Sequence, residues 1–404
     1  MPKSTHRKPA GKVSKPRRDF PLFPHQTGRW AKKVRGKLHY FGSTATDPKG
    51  KAALETWLDQ RDDLLAGRTP RVAADGLTLR DLCNRFLTVK EQLRDSGEIK
   101  NTTFLDYHAT CDRLIEHFGK NRLVVDLAAD DFESYRARIA AKWNPTGLGG
   151  EITRVRVLFK YGYDAGLIDR PVRFGPMFKR PAKRVLRKER AKKGPRLFEP
   201  DQIHTLIEKA SDQLKAMILI AANCGFGNAD VGHLTLSALD LRGGWINFPR
   251  PKTGIDRRCK LWPETIEAIE AVIATRPTPK DEAAADLLFI TKYGQAWAKD
   301  THDSPVSKEF RKLLDATELY RPGLGFYALR HTFETIGGDS RDQVAVDHVM
   351  GHSRDDMASL YRERIEDDRL QAVADHVRAW LFQPDDKCGP ETAEDTRDKL
   401  RIVG

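Results

Sequence analysis

The stretch VMGHSRDDMASLYRERI, Val349 to Ile365, carries two side chains that could act on a phosphate. One is the imidazole of His352. The other is the phenol of Tyr361, nine residues later. The run after the Gly-His pair reads as a helix, and Ser353 with Asp356 has the spacing of an N-capping pair. Nine helical residues separate two α-carbons by ~13 Å. Two long side chains on one capped element can therefore flank a single phosphate, and a helix N-terminus favours an anion. Upstream, Arg330 lies in YALRHTF, 22 residues before His352, and Lys252 lies in PRPKTG. Each residue also has an ordinary role: a core tyrosine, a capping neighbour, a helix salt-bridge partner, a turn lysine. Only their combination points to chemistry.

The bulk composition narrows the setting. With 404 residues the chain is long enough for two or three domains. At 39% hydrophobic and 31% charged residues it can build cores, yet no apolar run reaches a membrane span. The basic N-terminus lacks the apolar segment of a secretory signal. The five cysteines, Cys83, Cys111, Cys224, Cys259 and Cys388, are scattered and form no CxxC pair. These features predict a cytoplasmic protein in a reducing setting, with no structural zinc and no membrane partner. A net charge of +13 points to a polyanion, most often nucleic acid.

The elements that must position these residues fall into segments. Residues 1–19 form a basic tail. Within 20–70, GRWAKKVRGKLHYFG alternates Trp30, Val34, Leu38 and Tyr40 with Arg29, Lys32, Lys33, Arg35 and Lys37, and Arg35-Gly36 suits a turn. This predicts a β-hairpin with a basic face, followed by a helix from Pro48 to about Gly67 that turns Leu54, Trp57, Leu58 and Leu64 to one side. Residues 76–170 predict an α-helical bundle opened by a Thr78/Asp81 cap. Residues 171–196 read as an extended basic linker, interrupted by prolines, with Glu189 its only acid. Residues 197–384 predict a third, mostly helical unit with short strands at 245–249 and 259–262 around a Lys-Thr-Gly turn. Residues 385–404 are a polar tail. The fold class expected is mainly α with small antiparallel β elements.

The order PKTG, YALRHTF, MGHSRDDMASLY resembles the tyrosine recombinase (phage integrase) family, and the resemblance covers almost the whole chain. It implies an N-terminal arm-binding module, a SAM-like α-helical core-binding domain and a C-terminal catalytic domain. It also implies roles. Tyr361 attacks a DNA phosphodiester to form a 3′-phosphotyrosyl link. Arg330 and His352 donate to its non-bridging oxygens. Lys252 protonates the departing 5′ oxygen. No cofactor or metal is implied. The partner is double-stranded DNA, on which such proteins self-associate as dimers or tetramers. Lys32, Lys33, Arg35 and Lys37 in the hairpin are expected on DNA phosphates, as are Lys183, Arg184, Arg187, Lys188, Lys192 and Lys193 in the linker. The helical segment IEDDRLQAVADHVRAWLF has Leu370, Val373, Val377 and Leu381 on one face. It either docks on a neighbouring protomer, as in the family, or packs on its own domain.

The sequence departs from the family pattern twice. In CGFGNADVGHL, Gly227 falls where the family's first arginine should be, while Gly225 and Asp230 align with its glycine and acid. Tyr327 occupies the position of the histidine three residues before the second arginine. Arg250, two residues before Lys252, is a candidate compensating cation, and Asn228 a candidate neutral donor. Two other readings stand beside an active recombinase. One is a catalytically disabled relative that binds DNA as an architectural or regulatory protein. The other is a type IB topoisomerase-like enzyme, against which the arm-like hairpin argues.

Overall fold

The computed structural model describes residues 14–67, 76–352 and 364–382. The chain forms two compact units, Met1–Glu189 and Arg190–Gly404.

The first unit opens with three antiparallel strands in the order β1-β2-β3, one more than the expected hairpin. They are β1 (Phe23–His25), β2 (Arg29–Val34) and β3 (Lys37–Ser43). Val34 pairs with Lys37 across Arg35-Gly36, whose φ angles of 49° and 84° suit the twist of a two-residue hairpin turn. Helix α1 (Lys51–Leu65) covers one face of this sheet. Trp30, Val34, Phe41, Ala53, Trp57 and Leu64 form the core, and the Trp30 indole donates to the Asp47 carbonyl at 2.7 Å. Leu38, Tyr40 and Leu58 are exposed. The apolar side of α1 is set by Ala53 and Trp57, not by Leu58. Lys33, Arg35 and Lys37 are also exposed, and Lys32 lies over the Trp57 ring.

Four helices follow: α2 (Leu79–Asp95), α3 (Asn101–Phe118), α4 (Ala129–Ala140) and α5 (Pro145–Asp164). Thr78 caps α2 as expected, its hydroxyl accepting from the Asp81 N–H at 3.1 Å. Phe86, Leu114, Phe118, Phe132, Val155 and Phe159 interdigitate at the centre. Buried among the helices is the carboxylate of Glu151. It accepts from Thr110, Tyr135 and Arg154, and from Arg113 through two nitrogens at 3.0 and 2.6 Å.

The basic stretch expected to be extended contains a helix instead, α6 (Lys183–Ala191), with no buried residue. Its prolines lie outside that helix, so they delimit it. Helical geometry gathers Lys183, Arg184, Arg187 and Lys188 on one side. All four are exposed, as is Lys192; Lys193 is half-buried.

The second unit is built around α8 (Asp212–Cys224), buried along most of its length. An all-round apolar helix belongs at a core's centre. Against it lie α7 (Pro200–Lys209), α9 (Asn228–His233), α10 (Pro263–Ala274), α11 (Pro305–Ala316), α12 (Tyr327–Gly338) and α14 (Asp367–Phe382). Helix α13 (Gln343–Met350) packs on α12 and α14. A small antiparallel sheet is ordered β4-β5-β6 (Leu239–Asp240, Trp245–Asn247, Arg258–Lys260), with β5 and β6 shorter than expected. Leu370, Val373, Val377 and Leu381 of α14 are buried in the core of their own unit. Arg258 clamps Asp367 with two hydrogen bonds at 2.7 and 2.8 Å, and Trp262 donates to the Ala374 carbonyl at 2.8 Å.

Candidate active site

Arg330 sits one turn into α12 and is 2% exposed. A buried guanidinium must spend its donors on fixed acceptors. It does so on two helix ends. Nη1 donates to the Gly225 carbonyl at 2.6 Å and Nη2 to the Met350 carbonyl at 2.7 Å. Gly225 closes α8 with φ 62°, and a Cβ there would stand 2.7 Å from the Phe333 ring. Only glycine permits both the turn and the packing. Burial first, then the nearby Arg250 charge, lowers the pKa of Arg330, while Asp230 raises it.

Gly351 ends α13 with φ 62° and turns the chain so that His352 faces Arg330. Nε2 of His352 lies 3.0 Å from Nη2 of Arg330. A guanidinium only donates, so Nε2 carries the lone pair and the ring proton sits on Nδ1. Nδ1 points at two carboxylates, Asp347 at 3.5 Å and Glu334 at 3.7 Å. These three side chains place potential ligand atoms within 4.8 Å of one another. With Nε2 engaged by Arg330, the carboxylates act as orienting partners of the ring.

The turn after β5 brings further cations. The Arg250 carbonyl accepts from Thr253 and Gly254, which folds PRPKTG back on itself and leaves Lys252 exposed at its apex. Nη1 of Arg250 donates to the Gly351 carbonyl at 3.1 Å. Arg250 thus stands beside the Arg330–His352 pair. Asn228 does not turn the same way; its amide donates to Ser307 on α11. Tyr327 opens α12, half-exposed, with its ring against Gly227 and 5.4 Å from the His331 ring. Burial, then the charges of Arg196, Arg330 and Arg190, lower the pKa of His331. The surroundings of α12 are therefore electropositive. Tyr361, Ser353 and Asp356 lie outside the described residues.

Arg257 is a residue that sequence reasoning missed. It is buried between Gly351 and Asp230, donating to Asp230 Oδ1 at 3.2 Å. The available signal was Asp230 itself, an acid beside a segment with no cation of its own.

An arginine–histidine pair joins two helix ends, and arginines from a strand turn stand beside it, a concentration of positive charge in a mostly helical protein with small antiparallel sheets. Residues 196–367 match the model of the phage integrase family. This region is similar to the tyrosine recombinase, or phage integrase, family. Among curated proteins, none matches the sequence. Solved structures share the fold. A Tn1549 transposon integrase in complex with a circular intermediate DNA superposes with a TM-score of 0.55 at 18% identity, covering 74% of this chain and 98% of that one. A lambda integrase dimer bound to a COC' core site gives 0.53 at 16%, covering 87% and 99%. A lambda integrase tetramer bound to a Holliday junction gives 0.54 at 14%, covering 87% and 98%. No helix among the described residues is long and apolar enough to cross a membrane.

Proposed function

We propose that the chain is a site-specific DNA recombinase or integrase that cuts and rejoins duplex DNA through a 3′-phosphotyrosyl link to Tyr361. The observation that carries this reading is the convergence of Arg330, His352 and Arg250 on the Met350–His352 segment, Arg330 at the Met350 carbonyl and Arg250 at that of Gly351. Arg330 and His352 stabilise the non-bridging oxygens as charge builds on them. Lys252, exposed on its turn, serves as the acid for the leaving 5′ oxygen. Tyr327 supplies a hydroxyl in place of the family histidine. Arg250 supplies the phosphate-facing part of the charge missing at Gly227.

The basic hairpin (Lys32, Lys33, Arg35, Lys37) and the 183–193 segment (Lys183, Arg184, Arg187, Lys188, Lys192, Lys193) bind DNA phosphates in this reading, with affinity that falls as salt rises. The hairpin module, helical bundle and C-terminal unit are taken as arm-binding, core-binding and catalytic domains. Self-association on DNA is proposed by analogy with the lambda integrase dimer and tetramer.

Gly227 favours a second reading, a DNA-binding relative that no longer cuts. Loss of one preorganised donor costs about 2.7–4 kcal/mol, a factor of roughly 10²–10³ in rate. The test is covalent trapping on a nicked suicide duplex. The active reading expects an adduct that disappears in Tyr361→Phe and slows at least tenfold in Arg250→Ala. DNA binding without any adduct would leave the disabled relative, and an unchanged rate in Arg250→Ala would remove Arg250 from the site.

A further inference from the structure

We propose that Arg257 is a positioning residue for strand cleavage, replacing at Asp230 the cation that Gly227 lacks, while Gly227 and Tyr327 form an exchanged small–large pair that fills the vacated route. The inference rests on the cleavage reading above and adds residues to the same site.

Asp230 follows Gly227 by one helical turn, and its side chain is 10% exposed. A carboxylate at that depth needs partners for both oxygens. Oδ2 accepts from the Gly227 N–H at 2.7 Å, and Oδ1 accepts from Arg257 at 3.2 Å. The Arg257 side chain is wholly buried. Its Nε donates to the Phe248 carbonyl at 3.0 Å, and its guanidinium lies 4.1 Å from the Phe226 ring centre. Arg257 therefore grips the segment Phe226–Asp230 by ring and by charge. Gly225, the residue just before that segment, offers its carbonyl to Arg330. Without Arg257, Asp230 would present an uncompensated charge beside a pocket meant for a phosphate, and the backbone that aims Arg330 would lose its anchor. One nitrogen of Arg257, Nη1, is buried with no hydrogen-bond partner in the structure. Such a donor is costly to maintain for packing alone.

The second half of the exchange is steric. A Cβ at Gly227 would lie 3.0 and 3.1 Å from two carbons of the Tyr327 ring. Any side chain there needs that ring to give by a few tenths of an ångström. The two departures from the family pattern are thus one structural change: the ring occupies the space next to 227, and the charge arrives from the β5–β6 hairpin.

The experiment measures adduct formation on saturating suicide duplex with the full-length chain, alongside DNA Kd and thermal unfolding. Arg257→Met is expected to slow the adduct 10–100-fold with DNA Kd unchanged. Gly227→Arg added to Arg257→Met is expected to recover at most twofold, because the Tyr327 ring must first give way. Adding Tyr327→His as well is expected to recover at least tenfold. Recovery by an arginine at a different position is a readout that a purely packing role would not move. If Arg257→Met does not fold, Arg257→Lys takes its place in the same series. A folded variant at position 257 that cleaves within twofold of wild type overturns the proposal, as does a triple variant without recovery. If wild type itself forms no adduct, the cleavage reading fails separately. Arg257 is then judged on orthovanadate affinity, expected tenfold weaker in Arg257→Met and restored in the triple variant; equal affinities overturn it.

Discussion

The guanidinium of Arg330 and the imidazole of His352 face each other across 3.0 Å, Nη2 to Nε2, while the same arginine holds the Gly225 and Met350 carbonyls. One planar fork thus ties two helix ends to the ring. A lysine keeps the charge but cannot serve three acceptors in that geometry. Arg330→Lys is expected to slow adduct formation 10²–10³-fold, with DNA affinity within about threefold of wild type. Single-turnover cleavage and a filter-binding titration measure the two quantities. Equal losses in both would assign Arg330 to general DNA binding.

Glu151 makes a pH-dependent contribution to the helical bundle. Burial pushes its pKa up, but hydrogen bonds from Arg113, Tyr135 and Thr110 outweigh it and hold the pKa below the ordinary 4.5. The folded value is the lower one. The stabilisation is therefore complete above the unfolded pKa and is lost as pH falls through the folded pKa. Glu151→Gln leaves Arg113 without its carboxylate and Arg154 with Asp106 alone, and is expected to cost about 3–5 kcal/mol at pH 7. The gap between variant and wild type should narrow in acid. Urea unfolding at pH 7 and pH 3.5 reads both; a gap independent of pH would mean that the carboxylate charge is not what stabilises the bundle.

Helix α14 packs on its own unit, so its apolar face belongs to folding before it belongs to assembly. Leu370→Ala is expected to destabilise the isolated protein by about 2–5 kcal/mol, as core truncations do. Denaturation of the DNA-free protein across a hundredfold range of concentration measures this. A variant as stable as wild type would return the helix to a role between protomers.

Much of the site was legible in the sequence because its residues sit in short, distinctive contexts. Glycines at 225 and 351, an arginine early in a helix and a histidine after a helix end are local signals, and their order along the chain fixes which elements carry them. The Thr78 cap was legible for the same reason. What escaped notice depends on distant partners. Arg257 looks like any basic strand residue until Asp230 folds against it, 27 residues away. Strands β1 and β4 are too short to carry an alternation of their own and exist by pairing with β2 and β5. The 183–191 helix was hidden by the prolines around it, although the residues between them are good helix formers.

The bond from Arg250 to the Gly351 carbonyl joins two parts of the chain 101 residues apart. A Cβ on Gly351 would meet Arg257 at 2.8 Å and Arg250 at 3.0 Å, so the strand turn and the end of α13 fit like the two halves of a clasp. Lys252 rides on one half and His352 follows directly from the other. A shift in either half drags its counterpart along, so the two side chains proposed to serve the leaving and the non-bridging oxygens travel as a single jaw.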